Sequence, residues 1–150
     1  MHTFDRDIMM LLHDVARLMR VRFDQRARLR GMTRAQWVIL ARLERKPGLS
    51  QNEMAAILEV EPISVGRLID RLEARGLVER RPDPTDRRVR RLHLLAAAKP
   101  ILDDISAQRD LLSAEILDDV APETRTQLIE GLLRMKTNMT EAPQLKAVGE

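Results

Sequence analysis

Two helix starts in quick succession constrain the fold of this chain more than any other feature. Ser50 and Glu53 have the spacing of a capping box, in which the serine hydroxyl accepts from the glutamate N–H and the carboxylate accepts from the serine N–H. Pro62 suits the first turn of a second helix, because its missing N–H would lack a partner there anyway. Gly76 supplies a left-handed end to that helix. The pattern predicts two short helices joined by a tight turn.

An arginine-rich segment follows the second helix. Residues 80–91 hold six arginines and two aspartates, between short apolar runs at 77–78 and 92–95. Residues 83–86 read Asp-Pro-Thr-Asp, which favours a reverse turn because proline presets φ and aspartate accepts from nearby backbone N–H groups. The segment predicts a hairpin with a cationic tip, a feature typical of nucleic-acid contact. The alternative is a solvated, charge-rich loop.

Amphipathic helices are predicted on both sides of this unit. Apolar residues recur every three or four positions from Phe4 to about Phe23, and again from Ile101 and from Leu128 onward. A further capping box at 33–36 opens another helix. We therefore expect a mainly α fold with a small β-hairpin wing. We expect this fold to be a winged helix-turn-helix flanked by N- and C-terminal helices. The wide apolar faces of those helices favour dimerisation.

Composition argues against several other classes. Aromatic residues make up only 2% of the chain, so the core must be built from Leu, Ile, Val, Ala and Met, which suits helix packing. The chain has no cysteine, and its three histidines lack metal-ligand spacing. No nucleophile elbow or phosphate loop is present, so we predict neither an enzyme nor a metal or cofactor site. Acidic residues near Met1 and the absence of a long apolar run predict a cytoplasmic protein without membrane association.

The second helix carries the candidates for reading bases. Ser64, Arg67 and Arg71 share one side of it, away from the apolar stripe. Pro62 and Ile63 complete its leading end, which in a recognition helix faces base edges in the major groove. Arg67 is the candidate for a bidentate contact to guanine, whereas Ser64 suits a phosphate equally well.

Two features of this helix leave alternatives open. The arginines could instead form ion pairs on a solvated surface with nearby acids, namely Glu61, Asp70 and Glu73. Gly66 lies mid-helix at a cost of up to ~1 kcal/mol relative to alanine. That cost indicates a close approach of the backbone either to DNA or to another helix.

At the hairpin tip, an arginine could enter a narrow minor groove, where the negative potential is strongest, with Asp86 orienting it. Arg87 and Arg88 are the candidates beside Asp86. For the other four arginines of the hairpin we expect phosphate contact or simple solvation, namely Arg80, Arg81, Arg90 and Arg91.

These segments resemble the MarR family of transcriptional regulators. The similarity lies in residues 49–55 (Leu-Ser-Gln-Asn-Glu-Met-Ala), in residues 65–80, and above all in the Asp-Arg-Arg motif of residues 86–88. Residues 16–20 and 32–37 are similar to the first helices of the SlyA-type branch, so the resemblance covers nearly the whole chain. It implies an obligate homodimer that binds double-stranded DNA at a pseudo-palindromic operator.

The resemblance also implies roles for single residues. Those matching Ser64 and Arg67 meet the major groove, and the one matching Arg88 enters the minor groove, with Arg87 as the alternative. Family members often bind small aromatic acids in a crevice, which predicts a repressor that is relieved by such an effector.

For the effector, Arg17 matches a carboxylate-binding position, Trp37 matches a wall of the crevice, and His13 is a third candidate. An arginine beside an apolar wall is a sound carboxylate site. The alternative is that Trp37 is the core of a helix junction and Arg17 a structural ion-pair partner.

The expected organisation has four segments. Residues 1–30 form an N-terminal dimerisation helix, 31–98 the winged helix-turn-helix DNA-binding domain, and 99–142 the C-terminal dimerisation helices. Residues 143–150 form a disordered tail. The start of the helix after the wing stays open, with Pro100 as the candidate for its first turn.

Overall fold

The structure is a computed structural model that describes residues 6–141. Phe4 and the expected tail at 143–150 lie outside the described residues. The elements, in chain order, are α1 (Ile8–Arg28), α2 (Arg34–Arg45), α3 (Gln51–Leu58), α4 (Pro62–Ala74), β1 (Val78–Pro82), β2 (Arg90–Leu94), α5 (Lys99–Ile116) and α6 (Pro122–Glu141). A mainly helical fold with a two-stranded antiparallel hairpin confirms the predicted winged helix architecture.

The helix boundaries follow local signals in the sequence. Both capping boxes form. The hydroxyl oxygen of Thr33 accepts from Gln36 N and that of Ser50 accepts from Glu53 N, and in return the side chains of Gln36 and Glu53 accept from the backbone N–H groups of Thr33 and Ser50. Pro62 occupies the first turn of α4. Gly76 follows its end with a φ of 69°, and Leu77 N donates to Leu72 O over 3.0 Å. These contacts satisfy the last carbonyls of α4 and turn the chain into β1.

The hairpin is fastened to the loop between α2 and α3. Its strands pair antiparallel, with Val78 opposite Leu94 and Arg80 opposite Leu92. Leu92 N donates to Leu49 O, and Gly48 N donates to Leu92 O, each over 2.9 Å. The backbone of the loop therefore extends the sheet and fixes the base of the wing.

The core of the first compact unit, residues 1–110, lies beneath this arrangement. It is aliphatic, as the composition predicts, and its largest fully buried side chains include Ile39, Leu40, Leu43, Met54, Val65, Ile69, Leu72 and Leu92. Burial of one face of α4 leaves the opposite face to solvent. A short 3-10 turn at 96–98 precedes α5, which places Pro100 in the first turn of that helix, as expected.

The second compact unit, residues 111–150, contains the end of α5 and, within its described part, α6. Arg125 secures the turn between them, because Nε donates to Val120 O over 2.8 Å and Nη2 donates to Leu117 O over 2.9 Å. The apolar stripe of α6 is exposed, namely at Leu128, Ile129, Leu132, Leu133 and Met139. Of the helices in 6–141, none is long and apolar enough to span a membrane. The domain boundaries stay a prediction.

Candidate nucleic-acid interface

The exposed face of α4 presents the residues expected to meet DNA. Pro62, Ile63 and Ser64 all lie exposed at its leading end, and Ile63 has 67% of its surface accessible. Arg67 and Arg71 are exposed on the same helix. The first turn of α4 contains no acidic residue. The N-cap residue is Glu61, whose side chain makes no capping hydrogen bond to the first N–H groups of the helix.

The side chains of Arg67 and Arg71 form no ion pair or hydrogen bond with any residue in the described range. Two of the three acids expected to pair with them, Asp70 and Glu73, have another partner. Arg80 Nη1 lies 2.8 Å from Asp70 Oδ1 and 2.7 Å from Glu73 Oε2. The two arginines of α4 are consequently left as free cations on an exposed helical face.

Arg80 corrects one expectation from the sequence. Its side chain is only 21% exposed, and Nη2 donates to Gly66 O over 3.1 Å. Its backbone N–H also donates to Glu73 Oε1 over 3.0 Å. Its side chain is therefore bound to α4 and largely covered, not simply solvated, because its position opposite buried Leu92 turns it toward that helix.

Arg91 is the second correction. Nε lies 2.7 Å from Asp83 Oδ2, and Nη1 donates to Gly48 O over 3.1 Å and to Glu53 Oε2 over 3.4 Å. It joins the wing to the loop before α3 and to the first turn of α3. We call Arg80 and Arg91 the wing base.

Asp83 organises the turn that follows β1. Its Oδ1 accepts from Thr85 N and Thr85 Oγ1, each over 2.8 Å, and from Asp86 N over 3.1 Å. The hydrogen bond from Arg91, followed by those from Thr85, holds the pKa of Asp83 well below its usual range. The same contact raises the pKa of Arg91. The expected reverse turn is thus built around one ionised carboxylate.

Arg87 and Arg88, which we call the wing tip, differ from the wing base. Arg87 is exposed and carries no partner within the described chain. The side chain of Arg88 is 90% exposed, and its Nε lies 3.3 Å from Asp86 Oδ1. Asp86 Oδ1 also accepts from Arg88 N over 3.0 Å. Asp86 therefore orients Arg88 while leaving its terminal nitrogens free.

Gly66 is explained by the neighbouring helix. A Cβ at this position would lie 3.0 Å from Gln51 Nε2, tighter than ordinary contact. Gln51 Nε2 donates to Pro62 O over 3.1 Å, so this side chain crosses from α3 onto the start of α4. Of the two alternatives for Gly66, the structure shows the close approach to another helix.

A cavity of about 380 Å³ lies in the first unit. Its walls are mostly apolar, and its lining residues are Ala16, Met19, Arg20, Phe23, Arg34, Trp37, Val38, Ala41, Ile105 and Arg109. Trp37 is thus placed at the wall, as predicted for the effector site. Arg17 and His13 are exposed and do not line the cavity, and Arg17 lies 3.7 Å from Asp14 in an exposed pair.

Trp37 is also part of the helix junction. It is 3% exposed, and the Arg30 guanidinium carbon lies 6.0 Å from its ring centroid. Arg30 in turn pairs with Asp104 of α5. Among the arginines at the cavity, Arg34 pairs with Asp24 over 3.0 Å. Sequence reasoning missed Arg20, which lies three residues beyond Arg17 on α1, and Arg109 on α5.

No group of three or more His, Cys, Asp or Glu side chains within residues 6–141 is placed to hold a metal ion. The exposed face of α4 and the wing tip instead present cations, and Asp70, Glu73, Asp83 and Glu53 are bound by the arginines of the wing base. This arrangement suits a polyanion that offers both a groove and a backbone.

Known proteins share this architecture. Residues 30–89 match the model of the MarR family. The crystal structure of MarR is 26% identical with a TM-score of 0.75, over 88% of this chain and 96% of that one. The transcriptional regulator PA3341 is 28% identical with a TM-score of 0.78, over 91% and 100%. The transcriptional regulator SlyA is 24% identical with a TM-score of 0.76, over 90% and 95%.

Proposed function

We propose that this chain, which matches the MarR family over residues 30–89 and has the fold of its DNA-binding transcriptional regulators, is a homodimeric, sequence-specific regulator of the SlyA-like branch. One observation carries the proposal. The side chains of the arginines on the exposed face of α4 have no acidic partner among the described residues, and two of the nearby acids, Asp70 and Glu73, are bound by Arg80. A helix face whose arginines are not paired with carboxylates suits contact with DNA.

In this proposal, α4 enters the major groove. Pro62, Ile63 and Ser64 approach the bases and phosphates first, Arg67 contacts a guanine, and Arg71 lies further along the same face. The exposure of all five residues supports the assignment. Each subunit thereby reads one half-site.

The wing tip enters the adjacent minor groove. Arg88 is the residue we assign to the groove, with Asp86 orienting it through its Nε. Arg87, exposed beside it, contacts the backbone or replaces Arg88 in the groove. The 90% exposure of the Arg88 side chain supports this role.

Dimerisation is proposed through the terminal helices. In the first unit, α1 exposes apolar side chains such as Ile8, Leu11, Val15 and Leu18. In the second unit, α6 exposes a stripe of its own. A second copy of the chain would cover both, and recognition helices about 34 to 36 Å apart would match one turn of DNA.

We further propose that the protein is a cytoplasmic repressor that releases DNA when it binds a small aromatic acid. The cavity beside Trp37 has apolar walls and an adequate volume. Arg20 and Arg109 line it without a partner among the described residues and are suited to a carboxylate. Arg17 and His13 remain candidates for a part of the site that a second copy would cover.

Selection from random duplexes, followed by gel-shift titration, tests the proposed function. We expect the wild type to enrich a pseudo-palindrome. Arg67→Ala should bind it at least about tenfold more weakly and lose its base preference at one position in each half-site. Arg45→Ala, an exposed arginine at the end of α2, is the control and should bind normally. Failure of the wild type to enrich any sequence would overturn the proposal.

The effector is tested separately. Trp37 is the only tryptophan of the chain, so its fluorescence reports on the cavity directly. Salicylate should change this fluorescence and release heat in calorimetry, and Arg20→Ala and Arg109→Ala should weaken both signals. Arg17→Ala tests the position that sequence resemblance favours. A calorimetric titration without heat would remove the effector from the proposal.

A further inference from the structure

We propose that Arg80 is a positioning residue for DNA recognition, because it holds the Asp70 carboxylate away from Arg67. This inference rests on the proposed function and goes beyond it, because Arg80 itself touches no DNA. In this proposal Arg80, which is largely covered, supports recognition by positioning the groups around Arg67.

The contacts of Arg80 make it a clamp. One guanidinium nitrogen bridges Asp70 Oδ1 at 2.8 Å and Glu73 Oε2 at 2.7 Å, and the other donates to Gly66 O over 3.1 Å. All three partners lie on α4, whereas Arg80 lies on β1. The planar guanidinium places its donors on separate nitrogens and so reaches both the carboxylates and the carbonyl, whereas the donors of a lysine all lie on one atom. The clamp therefore fixes β1 against the helix beside Arg67.

The clamp also determines the partner of Asp70. Arg67 and Asp70 are three residues apart on one helix, a spacing at which oppositely charged side chains can pair. In the structure Asp70 pairs with Arg80, and Arg67 has no ionic partner among residues 6–141. Asp70 is 67% exposed, so without Arg80 its charge would stand free beside Arg67. It would then attract that guanidinium and repel phosphate.

Arg80 is poorly placed to contact DNA itself. Its side chain is 21% exposed, against 53% for Arg81 on the same strand. Arg81 pairs with Glu79 Oε1 over 2.6 Å, close to the length of the Arg80 contacts, yet its side chain forms no hydrogen bond or ion pair with α4. Arg81 is therefore the matched control, with the same charge and neighbouring position but no link to the recognition helix.

A double-mutant cycle on the full chain tests the inference, with affinity for the operator selected by the wild type as readout. Arg80→Gln should weaken binding at least about tenfold, whereas in the Arg67→Ala background the same change should cost less than about threefold. Arg81→Gln should change binding less than about threefold in either background. Thermal melts establish that each variant is folded, and Arg80→Lys replaces Arg80→Gln if the latter is not.

A second experiment removes the charge of Asp70. Asp70→Asn added to Arg80→Gln should restore binding to within about threefold of the wild type, because the competing charge has gone. A purely structural clamp would show no such rescue. If Arg80→Gln caused equal losses of operator affinity in both backgrounds, and Asp70→Asn gave no rescue, this inference would be overturned while the proposed function would stand. A wild type that binds no duplex would overturn the proposed function and this inference with it.

Discussion

The wing base and the wing tip carry the same residue type within one hairpin, yet their surroundings differ. At the base, Arg80 and Arg91 each bind two carboxylates and a backbone carbonyl. At the tip, Arg87 has no partner in the described chain, and Arg88 has one carboxylate contact at 3.3 Å. The carboxylates within reach, and not the arginines themselves, separate the arginines that anchor the wing from those for which we propose a DNA-reading role.

Arginines in one charged segment can differ in how strongly the fold already binds them. An arginine with several short contacts to carboxylates is occupied by the fold and gains little from a phosphate. An exposed arginine with one weak contact costs little to redirect toward DNA. The hairpin uses both kinds, and the base holds the tip in place through the paired strands and the Asp83 turn.

The largest expected effect belongs to the wing tip. Arg88→Ala should weaken operator binding by about tenfold or more, because it removes the proposed minor-groove contact. Its thermal midpoint should stay that of the wild type, since the side chain is 90% exposed. Gel-shift titration and a thermal melt check the two halves of this prediction. A lowered midpoint with normal affinity would break the distinction between tip and base.

At the wing base, a substitution of Arg91 should lower the thermal stability of the protein. Arg91→Ala removes the contacts to Asp83, Glu53 and Gly48 O, so the thermal midpoint should fall by several degrees. Differential scanning calorimetry measures the fall, with Arg90→Ala as control, because Arg90 is exposed and unpartnered in the described chain. Equal midpoints for the two variants would contradict an anchoring role for Arg91.

Acid should loosen the wing base through Asp83. Its pKa is lowered in the folded state from an ordinary value of 3.8, so the ionised carboxylate stabilises the fold above that value. This stabilisation is lost as the pH falls below about 4, toward the folded pKa. Between about pH 5 and pH 3, the midpoint of the wild type should therefore fall more steeply than that of Asp83→Asn. Parallel slopes would show that Asp83 does not hold the turn as an ion.

The smallest effect is expected at Gly66, where the clamp from Arg80 meets the close approach of α3. Gly66→Ala gains helix propensity of about 0.8–1 kcal/mol. It must displace the end of the Gln51 side chain, with loss of a hydrogen bond that contributes about 1 kcal/mol. The free energy of unfolding should therefore change by less than about 1 kcal/mol. A larger loss in urea unfolding would mean that α3 and α4 cannot separate at this point.

Much of the fold could be predicted because its signals are local. Thr33 and Ser50 open helices through capping boxes that involve only the next three residues, and Gly76 ends α4 through its own φ. The turn at Asp83 is equally local, since its acceptor serves the backbone two and three residues on. Such features need no knowledge of tertiary structure.

The roles of the base arginines could not be predicted in the same way. Arg91 contacts Gly48 O across 43 positions of the chain, which no local pattern encodes. For Arg80 a signal was available, because strand alternation places it on the same face as Val78 and opposite Leu92. A cation on a core-facing position needs a carboxylate, and Glu73 lies seven residues earlier.

The cavity shows a similar limit. Family resemblance predicts Trp37 and Arg17, and the structure places Trp37 at the wall but Arg17 on the exposed side of α1. Arg20, less than one helical turn later, lines the cavity instead. Which arginine of a helix faces a cavity depends on how the helix is rotated, and a run of arginines on α1 leaves that rotation undetermined.

The central claim is that the unpaired arginines of α4 and the wing tip read the operator. A gel-shift titration of the Arg67→Ala/Arg88→Ala double variant, at a protein concentration where it is folded and dimeric, tests this most directly. Because the two sites are separate, their losses of binding free energy should add, so that two tenfold losses of affinity multiply to about a hundredfold or more relative to the wild type. Affinity of the double variant equal to that of the wild type would contradict the account.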